Sequence, residues 1–208
     1  MSFADLGGFL GAAAAIIQVA GYAVYLRGML QHRIAPNSTS WLLWAAGSTV
    51  SLVIYSRVTS DPALLALPIA CAASSIAIVA IAVLLDRLRR PDWIDLCIGA
   101  LDIVVVGVWL IAGPVWGYAA LLLDIVITHL PILRSTRKNP EGEMALPWLT
   151  WTMAYLLMLV AALLRQQDRD AYMFPLVCAV VSGAVWVLAA RKRPSLNLET
   201  RPTRDATN

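Results

Sequence analysis

Runs of about 20 continuously apolar residues recur seven times along this 208-residue chain, and each is long enough to cross roughly 30 Å of hydrocarbon. A backbone inside lipid must satisfy its N–H and C=O groups internally, so only helices and closed barrels span a membrane. The runs do not alternate with polar residues, which excludes a barrel. Composition agrees: the chain is 60% hydrophobic and 14% charged, against about 45–50% and about 25% for a soluble domain. The expected fold class is all-α, a polytopic membrane protein with transmembrane helices over 7–27, 40–57, 62–85, 93–112, 115–134, 146–164 and 171–190.

The punctuation between runs has a local cause at each point. Pro36-Asn37-Ser38-Thr39-Ser40 stops the first helix and supplies capping oxygens for the second. Asp61-Pro62 opens the third, with proline at a tolerated first-turn position. Ala112-Gly113-Pro114 and Asn139-Pro140-Glu141-Gly142 break the chain on either side of the fifth. From Pro194 onward the polar, non-periodic sequence reads as a disordered tail, 194–208. Met1–Leu6 has no basic segment and carries Asp5, so the first run is expected to be a retained helix rather than a signal peptide.

The 16 basic residues divide unevenly between the two sets of loops. Arg57, Arg165 and Arg169 lie on the side of the N-terminus; the other 13 lie on the side of the C-terminus. The positive-inside rule puts the N-terminus outside and the C-terminus in the cytoplasm, an orientation expected for a bacterial inner membrane protein. The net charge of +3 is therefore a topology signal and gives no reason to expect a nucleic-acid partner. Cys71, Cys97 and Cys178 are isolated within apolar runs, so neither a disulfide nor a metal site is expected.

An offset of 107 positions lays the chain on itself without gaps. Trp41-Leu42-x-Trp44 falls on Trp148-Leu149-x-Trp151, Leu26-Arg27 on Leu133-Arg134, and Asp61 on Asp168. Pro68-x-x-Cys71-Ala72-x-x-Ser75 falls on Pro175-x-x-Cys178-Ala179-x-x-Ser182. Rare residue types pairing in one register indicate an internal repeat. The expected organisation is a first three-helix repeat over 1–90, a linker helix over 91–113 and a second repeat over 114–193. An odd unit joined by one inverting helix gives two parallel repeats, with a cavity at their interface.

This layout, together with the segment Pro36-x-x-x-Ser40-Trp41-x-x-Trp44-x-x-Gly47, resembles the SWEET and PQ-loop superfamily over about residues 8–193. Vitamin-precursor transporters of the PnuC type are similar in architecture, and small bacterial seven-helix proteins carry a similar Pro-x-x-x-Ser-Trp-x-x-Trp segment. The Pro-Gln dipeptide itself is absent: Val24-Tyr25 and Pro131-Ile132 stand near its positions. SWEET-type sugar carriers use an asparagine on the third helix of each unit, where this chain offers Ser75 and Ser182. The resemblance implies a transporter or a receptor of this fold, without implying a sugar.

Polar groups at membrane depth are costly, so each is a candidate for a substrate or proton pathway. Asp124 is central in helix 5, followed by Thr128 and His129. Gln18, Tyr22 and Tyr25 share a face of helix 1, where Tyr25 is equally placed to be an interfacial anchor; Ser48, Ser51 and Tyr55 share a face of helix 2, with Tyr155 aligned to Ser48 by the repeat. Ser75, Ser182 and Trp186 complete the set. Asp95 and Asp102 on helix 4 read as solvated or structural. Trp41, Trp44, Trp148 and Trp151 sit near helix starts; an interfacial belt is preferred to a gate. Pro68, Pro131 and Pro175 interrupt helices and are hinge candidates. Gly7, Gly11 and Ala15 form a stripe for close helix approach, within the chain or in a homo-oligomer.

No HExxH, Gly-x-Ser-x-Gly or metal cluster appears, so no enzyme and no cofactor are expected. The only lysines, Lys138 and Lys192, lie away from mid-membrane, which excludes a retinal Schiff base. The expected partners are the bilayer and a small, neutral or singly charged substrate. The expected function is transport, the alternative a membrane receptor.

Overall fold

The computed structural model describes residues 2–34, 36, 38–86, 90–112 and 114–191. Seven α-helices follow one another: α1 (Phe3–Leu30), α2 (Ser38–Val58), α3 (Pro62–Leu84), α4 (Trp93–Ala112), α5 (Pro114–Lys138), α6 (Ala145–Leu164) and α7 (Arg169–Ala189). A 3-10 turn, Pro140–Gly142, precedes α6. Among the described residues, five helices are long and apolar enough to cross a membrane: α1, α3, α5 from Trp116, α6 and α7. The chain is an integral membrane protein.

Local chemistry sets the ends. α1 begins four residues earlier than its apolar run, because Ser2 and Asp5 form a reciprocal capping box: Asp5 N donates to Ser2 Oγ at 3.1 Å and Ser2 N to Asp5 Oδ2 at 2.9 Å. Asp61 Oδ1 accepts from Ala63 N at 3.0 Å and caps α3. α5 outlasts its apolar run by a turn and ends in Arg137 and Lys138, cations favoured beside terminal carbonyls.

Six helices close into a ring in the order α1, α3, α2, α5, α7, α6 and back to α1, while α4 packs outside against α5 and α2. In each half the third helix lies between the first and the second. One end of the ring joins the start of α1, the start of α3 and the end of α6: Arg165 pairs with Asp61 and donates to the Ala4 carbonyl at 2.7 Å. The other end joins the end of α1 to the start of α6, where Gly28 meets Met144. Arg134, on α5, pairs with Asp92 just before α4 at 2.9 Å. Two apolar clusters fill the interior, one around Tyr55, Leu64, Met158 and Phe174, the other around Tyr25, Trp41, Trp148 and Trp151.

Candidate functional site

The two clusters meet around a cavity of about 30 Å³ inside the ring. α2 supplies Trp44, Gly47, Ser48 and Ser51; α3 supplies Pro68 and Cys71; α5 supplies Asp124, Ile125, Thr128 and His129. Tyr155 of α6 and Phe174 and Cys178 of α7 complete the wall. Among the described residues, no lysine or arginine lines it.

Gly47 explains how a carboxylate fits here. The Asp124 Oδ2 lies 3.2 Å from where a Cβ on Gly47 would stand, so the missing side chain is the seat of the acid. One turn further on, His129 Nδ1 is 2.6 Å from the Ile125 carbonyl. The carbonyl can only accept, so Nδ1 carries the proton and Nε2 presents a lone pair. That Nε2 is buried and has no hydrogen-bond partner among the described residues. Thr128 Oγ1 donates to the same carbonyl at 3.0 Å. The wall therefore offers an acid, a basic nitrogen and several hydroxyls in an apolar surround.

Of the residues expected from sequence, Asp124, Thr128, His129, Ser48, Ser51 and Tyr155 come together on this wall. Tyr22 and Ser75 stand one contact behind it. The Tyr22 hydroxyl is 3.1 Å from Cys71 Sγ, and Ser48 Oγ and Ser75 Oγ are 2.8 Å apart. The Tyr155 hydroxyl donates to Cys71 Sγ at 3.7 Å. Gln18, Ser182 and Trp186 are not wall residues. The side chains of Gln18 and Ser182 are fully buried without hydrogen-bond partners of normal geometry among the described residues, and Trp186 is half-buried against the aromatic cluster. Pro68 reaches the wall; Pro131 and Pro175 are buried in α5 and α7 away from it. The side chains of Asp95, Asp102 and Trp109 lie outside the described residues, as do Arg87, Arg89 and residues 192–208.

The expectation of an outward-facing tryptophan belt is corrected for four residues. Trp41, Trp148 and Trp151 are at most 1% exposed and Trp44 7%. Trp41 and Trp44 stack with centroids 5.7 Å apart; Trp44 meets Trp148 at 5.3 Å and His129 at 4.5 Å, and Trp148 meets Trp151 edge-on at 4.9 Å. Trp41 Nε1 donates to the Tyr25 hydroxyl at 3.0 Å and Trp151 Nε1 to the Gln18 carbonyl at 3.2 Å. The Trp41 and Trp151 indoles are thereby satisfied and can turn inward among the packed rings, while the Trp148 indole nitrogen is buried without a hydrogen-bond partner of normal geometry among the described residues. Together the rings form a plug between the cavity and the end that holds Met144. Trp93 and Trp116, by contrast, are exposed.

At the opposite end, polar bonds close the ring. The Tyr55 hydroxyl donates to the Ala171 carbonyl at 3.0 Å and Thr59 Oγ1 to Gln167 Oε1 at 2.8 Å, beside the Arg165–Asp61 pair. Tyr118 donates to the Asp170 carbonyl and accepts from Phe174 N at 3.1 Å.

Ile125, Phe174 and Glu143 escaped the sequence reading, and Cys71 and Cys178 drew attention there only as isolated thiols and as a matched pair of the repeat. Phe174 carries no mark that separates it from its apolar run. Glu143 reads as a solvated loop acid, yet it is buried beside Tyr25 and Trp148 and accepts from Met144 N at 3.1 Å. Burial pushes its carboxyl up to about 7. No protein-family model, curated protein or solved structure compared with this chain matches it.

Proposed function

We propose that this protein is a small-solute transporter of the SWEET and PQ-loop kind, two parallel three-helix units moving about a central site. The observation that carries this reading is the cavity itself: a largely apolar site between α2–α3 and α5–α7 that carries an acid, an imidazole and hydroxyls, with a different closure at each end. The repeat supports it. The 107-residue offset carries Ser38 onto Ala145 and Pro62 onto Arg169, the first residues of α2 and α6 and of α3 and α7. The same offset carries the packing of α1 on α6 onto that of α5 on α2. All seven helices are then spans, oriented with the N-terminus outside and the C-terminus cytoplasmic in a bacterial inner membrane.

Size decides what the cavity does in this conformation. A single water needs about 10–15 Å³ measured this way, so about 30 Å³ holds one or two waters. A metabolite enters only when one end opens. The outer end is held by exchangeable polar bonds, each contributing about 1 kcal/mol. The cytoplasmic end is held by fully buried tryptophans, each worth several kcal/mol of apolar burial and ring packing.

The two halves are not chemically equivalent at the site. Asp124 of the second unit stands where the first has Ile17, and His129 where the first has Tyr22. An acid on one unit, with no cation on the wall, disfavours anionic substrates and suits a neutral or cationic one. Asp124 is the group that would carry a coupled proton, with His129 Nε2 one helical turn further toward the cytoplasm.

Reconstitution in liposomes tests this. Uptake of labelled sugars, amino acids, nucleosides or vitamin precursors is expected to depend on the protein. Asp124→Asn is expected to lower that flux at least tenfold and remove its response to a pH gradient. Flux unchanged in Asp124→Asn would overturn the site assignment. Absence of uptake from folded protein would overturn transport and leave a receptor.

A further inference from the structure

A second concavity, of about 830 Å³, lies at the C-terminal ends of α5 and α7 and shares no residue with the central cavity. It is lined by Leu130, Leu133 and Leu188 and by four cations, Arg134, Arg137, Lys138 and Arg191. Leu130, Arg134 and Arg137 follow at i, i+4 and i+7 and share one face of α5. At 1.5 Å rise per residue, Leu130 and Arg137 are separated by roughly 10 Å along the helix. Along each helix the groove thus runs from apolar to cationic toward the C-terminal end. Asp92 offsets part of this charge through its 2.9 Å pair with Arg134.

We propose that this groove binds one anionic phospholipid, its phosphate among Arg137, Lys138 and Arg191 and an acyl chain along Leu130 and Leu188. The gradient from apolar lining to cationic helix ends is what selects a lipid. A soluble phosphate has no use for the exposed Leu130, and a zwitterionic lipid gains less from the cations. Basic pockets between helix ends hold anionic headgroups for this reason. The inference depends on the membrane setting and not on transport.

The test uses the purified full chain in detergent, with phosphatidylglycerol, phosphatidylcholine or inorganic phosphate added. Native mass spectrometry is expected to show one retained phosphatidylglycerol in preference to phosphatidylcholine, and only phosphatidylglycerol is expected to raise the melting temperature. Arg137→Gln with Lys138→Gln is expected to weaken that preference about tenfold, each melting temperature being read against the same variant's value in phosphatidylcholine. Arg191→Gln alone is expected to weaken it by a smaller factor. Arg27→Gln with Arg33→Gln removes the same charge from exposed positions at the end of α1 and is expected to leave the preference intact. An equal loss in that control would overturn the groove in favour of diffuse attraction. Equal stabilisation by inorganic phosphate, or no lipid preference, would overturn the lipid.

Discussion

Pro175 removes the amide hydrogen that would otherwise bond the Ala171 carbonyl one turn earlier. Tyr55, on a different helix, supplies the replacement through its hydroxyl at 3.0 Å. The proline's local defect is thereby converted into a tie between α2 and α7. Tyr55→Phe is expected to cost about 1–2 kcal/mol, because the carbonyl is then buried bare. Pro175→Ala restores the intrahelical bond, so the same Tyr55→Phe change should cost clearly less in that background. Unfolding in detergent of the four proteins of the cycle measures the coupling, expected at about 1 kcal/mol. Additive costs would show that the hydroxyl does not serve that carbonyl. Gly21 is constrained in another way: a Cβ there would collide with the Trp151 indole and the Thr150 hydroxyl, so α1 carries no side chain where α6 crosses it.

The short connection from α5 to α6 places a titrating acid beside the aromatic plug. Glu143 holds its proton up to about pH 7 in the folded protein, against an ordinary value of 4.5. Between those values the folded protein keeps a proton that the unfolded chain has released. Stability is therefore fully present below about pH 4.5 and declines as pH rises to about 7. Glu143→Gln keeps the shape and removes the titration. Melting temperatures over pH 4–8 are expected to fall more for the native protein than for Glu143→Gln in that window. Parallel curves would show that Glu143 is solvated. At the other end, Asp61 caps α3 and pairs with Arg165. Asp61→Asn keeps the cap and loses the charge, so it should cost less than Asp61→Ala by about 1 kcal/mol, the usual worth of a cap. Equal losses would assign the whole effect to the ion pair.

Across the whole molecule, the closed ring puts two of the three cysteines out of reach. Cys71 and Cys178 are buried in the cavity wall, while Cys97 on α4 is exposed. A small maleimide is expected to label Cys97 within minutes in detergent and the other two at least a hundredfold more slowly, as read by peptide mass spectrometry. In the Cys97→Ser protein, the residual labelling reports opening of the ring, and a transported solute should change its rate. Rapid labelling of all three cysteines in folded protein would contradict a closed cavity.

The sequence by itself determined that the chain is helical and lies in a membrane and, to within about a turn, where each helix begins and ends. Those properties follow from run length, from prolines and from capping residues such as Asp61, all local. It also brought out Asp124, Thr128, His129 and Ser48, because a polar group in an apolar run is visible without neighbours. Which way a side chain faces was decided only by the tertiary structure. Lipid tails are as apolar as a helix interface, so no periodicity separates Trp44 in the plug from Trp116 on the surface, or Phe174 at the cavity from an outward leucine. Burial of Glu143 had the same origin: a loop acid becomes a buried acid only when Tyr25 and Trp148, more than a hundred residues apart in the chain, are folded against it.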